Sequence, residues 1–207
     1  HRDLHLSIRR QRQMCIRDRI QSVAETARRL NLALHLDGAR LWNASTASGI
    51  SERDYSAPFD TVSVCFSKGL GAPVGSVLAG SADAIDQARY FRKQQGGAMR
   101  QVGILAAAAR YALENNRSRL AGDHENCQAL AKGLTKLPEF AVDEVGAETN
   151  MVFVDTGKRD AADLAKRLDE LGVRLLPTGP HTLRAVTNLT VSSKEIGQAL
   201  DAFEQLT

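Results

Sequence analysis

Two short apolar runs in this chain each end in one reactive side chain followed by glycine. Leu34-His35-Leu36-Asp37-Gly38-Ala39-Arg40 ends in a carboxylate; Val62-Ser63-Val64-Cys65-Phe66-Ser67-Lys68-Gly69-Leu70-Gly71 ends in an amine. A run of this kind is how a buried parallel strand delivers a side chain to the carboxyl edge of an α/β sheet, where such sheets build their sites. An amine beside a carboxylate suits pyridoxal 5'-phosphate. The amine forms a Schiff base with the aldehyde, and the carboxylate pairs with a protonated pyridine nitrogen.

Lys68 is the central candidate. A nucleophilic amine must be neutral, so its surroundings must favour the uncharged form by desolvation or nearby positive charge. Ser67 offers a hydroxyl to a phosphate, while Gly69 and Gly71 allow close backbone approach to a ligand. Asp37 is the ring-nitrogen partner, and Arg40, three residues on, can approach the cofactor or the substrate. Plainer fates compete for each: a solvated turn lysine, an Asp-Gly turn or helix-cap aspartate, a surface arginine. His35 shares Asp37's strand face by period two and reads as a packed neighbour, not a catalyst. Gly96-Gly97-Ala98-Met99-Arg100-Gln101 opens a helix, so Arg100 with the backbone N–H groups is either an anion site or part of a solvated Gly-rich turn. Arg184 can grip a carboxylate with two parallel hydrogen bonds; by itself it is indistinguishable from any edge arginine. His124 and Cys127 fall in a predicted helix and read as structural.

The elements that position these residues follow from periodicity. A helix is expected at Ile20–Leu30, strands at Ala33–Leu36, Thr61–Phe66 and Gly75–Ala79, and an irregular stretch with a helical turn at Asn43–Pro58. Helices follow at Ala82–Arg92, Gln101–Leu113 and Ser118–Leu137, the last ended by Pro138. Beyond it, strands at Phe140–Val145 and Met151–Asp155, a helix at Ala161–Leu171, strands at Val173–Leu176 and Leu183–Val186, and a closing helix at Ser192–Gln205 describe a small α+β unit. Ser192 and Glu195 have the spacing of a capping box. The division is therefore residues 20–137, a partial large α/β domain with a parallel-type sheet, and residues 138–207, a small α+β domain.

At 207 residues and 43% hydrophobic, the chain can bury a sizeable core. It has no apolar run near the ~20 residues a membrane span needs, and no signal peptide is apparent. Cys15, Cys65 and Cys127 are odd in number and lack metal-ligand spacing, which fits a reducing, cytoplasmic setting. The net charge of +3 hides an asymmetry: residues 1–19 carry six Arg against two Asp, leaving −1 for the rest. An Arg-rich arm can hold nucleic-acid phosphates. Its irregular wording, however, reads as sequence foreign to the fold, so no nucleic-acid partner is expected. Nucleotide-binding GxGxxG, Walker lysine, HExxH and paired-cysteine patterns are absent.

Taken together, LHLDGARLW at Leu34–Trp42, SVCFSKGLGAPVGS at Ser63–Ser76, Arg92–Gln101 and Leu183–Val191 resemble the low-specificity L-threonine aldolases, which are β-eliminating lyases of fold-type I that use pyridoxal 5'-phosphate. The resemblance runs from about Ile20 to the C-terminus. It implies that Lys68 is the Schiff-base lysine, Asp37 the ring-nitrogen partner and Arg40 a cofactor neighbour. It also implies that Arg100 serves phosphate or an adjoining subunit and that Arg184 holds the substrate carboxylate. The expected reaction is cleavage of L-threonine or L-allo-threonine to glycine and acetaldehyde by a cytoplasmic homotetramer. The chain departs from the family twice. The Gly-Thr phosphate turn and the ring-stacking histidine of the family's N-terminal part are missing, so it is expected to be a C-terminal fragment. Asn188 and Thr190 stand where the family commonly carries His and Asp. Another fold-type I lyase, racemase or aminotransferase, or a non-catalytic remnant, is the alternative.

Overall fold

The computed structural model describes residues 20–207; the basic arm of residues 1–19 lies outside them. A helix over 20–29 (α1) buries Ala24 and Ala27. Its Arg28 guanidinium donates to both Asp60 carboxylate oxygens at 2.8 Å, and Asp60 also accepts the Leu34 N–H at 2.7 Å. Those bonds tie the entrances of the first two strands together and hold the Asp60 carboxyl below its ordinary pKa.

Strand β1 (His35–Gly38) runs parallel to β2 (Thr61–Cys65), and β3 (Ser76–Gly80) lies antiparallel on the far side of β2. The sheet is therefore mixed, not purely parallel. A tight turn returns the chain beside β2 with no helix between, and such a connection can only pair strands antiparallel. The β1–β2 register sets Asp37 opposite Ser63 and Gly38 opposite Val64. Gly38 has no room for a side chain: a Cβ there would lie 2.7 Å from the Ser63 carbonyl oxygen.

The stretch expected to be irregular at Asn43–Pro58 instead holds α2 (Leu41–Ser48) and α3 (Glu52–Ser56). Ser51 caps α3 through the Asp54 N–H. Helix α2 forms despite weak propensity because Leu41 packs with Val62 and Val64 under the sheet. Helices α4 (Ala82–Gln94), α5 (Gly103–Asn116) and α6 (Leu120–Leu134) follow.

In the second sheet, β4 (Ala141–Val142), β5 (Met151–Asp155), β6 (Leu176–Gly179) and β7 (Thr182–Val186) lie in the order β4-β5-β7-β6, antiparallel throughout. Helices α7 (Ala161–Glu170) and α8 (Ser193–Glu204) pack with α6 on its inner face, around Val152, Val154, Leu168, Leu183 and Phe203. Ala161, Leu164, Ala165 and Leu168 give α7 the i, i+3, i+4, i+7 stripe that this burial requires. The expected capping box is present, Ser192 receiving the Glu195 N–H and Glu195 the Ser192 N–H. Three strands differ from expectation by more than one residue. The first sits two residues later, at His35–Gly38; that expected at Val173–Leu176 lies at Leu176–Gly179; that at Phe140–Val145 shrinks to two residues, cut short by a turn in which Gly146 N–H bonds to Asp143 O.

Candidate active site

Because β1 and β2 are parallel neighbours, both end at the same sheet edge. Alternation puts Leu36, Val62 and Val64 toward the core and leaves His35, Asp37, Thr61, Ser63 and Cys65 on the other face. His35 is held there by its neighbours, Nδ1 lying 2.8 Å from Thr61 Oγ1 and Nε2 3.4 Å from Ser63 Oγ. It shares Asp37's face, as its period-two position suggests, but it is exposed and not packed. The Asp37 Oδ1 accepts the Ala39 N–H at 3.1 Å, and its other oxygen has no partner among the described residues. Arg40 stands at the N-cap of α2, half-buried, and its side chain makes no capping bond.

Beyond Cys65 the chain closes a compact turn: Phe66 N–H bonds to Gly75 O, Ala72 N–H to Phe66 O and Gly71 N–H to Lys68 O. Lys68 heads this turn, exposed, with no hydrogen bond or ion pair to its amine among the described residues. Ser67 turns its hydroxyl to Cys65 Sγ, 3.2 Å away. The base of the turn is fixed, since Leu70 is fully buried with Ala72, Ala112 and Leu120. Trp42 braces the strand end from below, donating from Nε1 to Cys65 O at 3.3 Å and stacking on Phe66. Asp37, Ser67 and Lys68 thus share one edge.

Arg184 comes from the second sheet. It lies on the face of β7 opposite the core, with Phe153 and Leu176 as cross-strand neighbours, and its Nε is buried without a partner. A buried guanidinium N–H left open is a place for an anionic oxygen. The two sheets meet where Leu189 packs over Gly71. Arg100 is not brought to this group: it lies exposed in the turn between α4 and α5, and no interaction ties it to Asp37, Lys68 or Arg184. The helix it was expected to open begins only at Gly103. A cavity of 840 Å³ lined by Leu36, Tyr55, Phe59, Gln128 and Thr149 lies on the side of the sheet away from Asp37 and includes none of the expected site residues.

Asn43 went unnoticed in the sequence because its stretch reads as a loop. It is buried, with Nδ2 3.2 Å from His124 Nε2. Burial lowers the His124 pKa, opposed by the neighbouring Asp123 charge. Burial pushes the Cys127 thiol up to about 12, and both residues lie on the buried face of α6. Among the described residues no cluster of His, Cys, Asp and Glu could hold a metal, and no helix is long and apolar enough to cross a membrane.

The chain is thus an α/β protein with a mixed sheet whose parallel strands end near an aspartate and a lysine, and with an arginine on a second, antiparallel sheet. Residues 13–157 match the beta-eliminating lyase family, and the chain belongs to that family. It is 42% identical over 188 residues to low-specificity L-threonine aldolase 1 of Arabidopsis thaliana, covering 89% of this chain and 52% of that protein. It is also 42% identical over 182 residues to the low specificity L-threonine aldolase of Escherichia coli strain K12, covering 88% and 53%. The solved structure of Leishmania major threonine aldolase superposes with a TM-score of 0.70 at 21% identity, over 90% of this chain and 55% of that one, and so shares the fold. The chain spans about half the length of the relatives it matches.

Proposed function

We propose that the protein to which this chain corresponds cleaves the Cα–Cβ bond of L-threonine or L-allo-threonine, giving glycine and acetaldehyde with pyridoxal 5'-phosphate as cofactor. The residues fit that group. Asp37 keeps one carboxylate oxygen open, Lys68 offers an unpaired amine at the same edge, and the Arg184 Nε awaits an acceptor. When bound, pyridoxal 5'-phosphate supplies an aldehyde for amines and a ring that takes up the electron pair released at Cα. Asp37 would pair with the ring nitrogen and favour its protonated form. Lys68 would hold the cofactor through Nζ. Ser67 and Arg40 line its polar flank, and Arg184 fixes the substrate carboxylate. In the overall balance the β-hydroxyl loses a proton, Cα–Cβ breaks, and Cα gains a proton. Arg100, in its exposed turn, serves phosphate or an adjoining subunit in a cytoplasmic homo-oligomer.

What supports this reading is that Asp37, in β1, and Lys68, in the turn that follows β2, both lie toward the carboxyl edge of the parallel pair, neither with an ion pair among the described residues. The test is incubation with pyridoxal 5'-phosphate followed by borohydride reduction and peptide mapping. The adduct is expected on Lys68, with none at that peptide in Lys68→Ala; an adduct spread over surface lysines overturns the assignment. With threonine supplied, acetaldehyde release separates this activity from keto-acid formation by an aminotransferase.

A further inference from the structure

The Asn43–His124 pair joins α2, which follows the Asp37 strand, to α6, which leads into the second sheet. A buried amide is costly unless bonded. An amide NH₂ group only donates, so His124 accepts at Nε2 and its ring is neutral, the state that burial also favours. On its other flank Asn43 meets the lysine turn. A Cβ built on Gly69 would lie 2.9 Å from Asn43 Oδ1 and 2.9 Å from Leu120 Cδ2. The residue after Lys68 therefore rests directly on the Asn43 amide and the first residue of α6. One residue further, Leu70 O accepts from Asn116 Nδ2 at 2.8 Å.

The same turn of α6 also reaches the segment that follows the Arg184 strand. Asp123 O accepts the Thr187 hydroxyl at 2.6 Å, and Asn126 Nδ2 donates to Val191 O at 2.9 Å. Consecutive residues, Asp123 and His124, thus hold the two halves of the site, one by its backbone and one through Asn43.

We propose that Asn43 and His124 are positioning residues that hold the lysine turn at a fixed place relative to the Arg184 strand, an assignment that rests on reading Lys68 as the reacting amine. Their bond presses Asn43 against Gly69 and so sets where the Lys68 Cα stands. Neither touches substrate.

The test uses the whole chain and needs no cofactor. Amide hydrogen exchange is read at Gly71 and Ala72, whose N–H groups close the turn, and the rate of Lys68 acetylation by acetic anhydride is followed at one fixed pH. Asn43→Ala and His124→Leu are expected to speed exchange at Gly71 and Ala72 by about tenfold, the order of one lost buried hydrogen bond. They should also change the Lys68 acetylation rate, while β5 and β7 amides keep their protection. His124→Gln, whose Oε1 can replace Nε2 as acceptor, should restore both. Unchanged exchange at the turn overturns the proposal, as does loss spread evenly over β5 and β7 that Gln fails to rescue. Should His124→Leu not fold, Asn43→Ala carries the same comparison. Turn effects without a cofactor adduct on Lys68 uphold the positioning role and remove the assigned chemistry; the reverse pattern does the opposite.

Discussion

The two sheets of this molecule are packed very differently. The second is sealed by α6, α7 and α8, with Phe203, Val154, Leu168 and Leu183 wholly out of solvent. Both sheets are covered on one face only, Phe153 and Leu176 lying half exposed on the outer face of the second, but the first buries far fewer side chains. Every residue of β3 is exposed, α4 buries none of its residues and α5 only Ala112. Ile104 is 82% exposed, and Tyr90, Phe91, Met99 and Tyr111 are each more than half exposed. The open sheet is nonetheless the one that carries Asp37 and Lys68. The edge near Asp37 and Lys68 is held from below by α2 and α6, not by a layer above it. A few anchored residues, and not a closed core, fix where that edge stands.

The largest effect that separates the regions is core truncation. Phe203 is fully buried and meets Phe140 edge-on at 5.1 Å between ring centroids. Phe203→Ala is expected to cost about 3–5 kcal/mol in urea unfolding, whereas Ile104→Ala in the open region should stay within ~0.5 kcal/mol. A large loss at Ile104 would show that the apolar side chains of α5 are covered in solution, and the contrast between regions would collapse.

A smaller effect tests the site-bearing sheet itself. Gly38→Ala would set a Cβ against the Ser63 carbonyl oxygen, 3.3 Å from both Leu41 Cβ and Val62 Cγ1. A backbone oxygen in a paired strand cannot swing aside, so β1 must shift away from β2. The expected cost is about 1–3 kcal/mol, with loss of the pyridoxal 5'-phosphate adduct at Lys68, because Asp37 moves with the strand. Full retention of the adduct would mean that the edge tolerates displacement and that the β1–β2 register does not set the site.

How much of this could be read from the sequence follows the same divide. The alternation in Leu34–Asp37 and Val62–Phe66 made the two strand ends and their reactive residues legible, since a period of two requires only local information. The Ser192–Glu195 box and the α7 stripe were legible for the same reason. Helix α2 was not. Its Asn, Ser, Ala and Thr residues resemble a loop, and it is helical because tertiary packing against Val62, Val64 and α6 overrides weak propensity. With α2 read as loop, Asn43 carried no signal, because its partner His124 lies 81 positions away. The antiparallel course of β3 was missed because alternation reports faces and not direction. Arg184 was visible only through the family resemblance. Its open buried Nε is a fact of packing around β7.

The smallest effect concerns the seam between the regions, and pH is its probe. His124 is buried, and its pKa lies below the ordinary 6.5 chiefly through desolvation. The native state therefore binds this proton less readily than the unfolded chain. As pH falls through about 6.5 the unfolded state takes it up first, so stability declines with falling pH until the native ring also titrates. One proton limits the slope to about 1.4 kcal/mol per pH unit. The carboxylates held low by hydrogen bonds, Asp60 and Glu195, contribute in the same direction only beneath their ordinary values of 3.8 and 4.5. Between pH 5 and 6.5, then, the difference in slope between the native chain and His124→Gln isolates this ring. If that slope appears in the exchange of β5 and β7 amides as well as at Gly71 and Ala72, the seam opens together with the sealed core. If it appears at Gly71 and Ala72 alone, the lysine turn releases by itself, and the open region is a separate cooperative unit resting on α6.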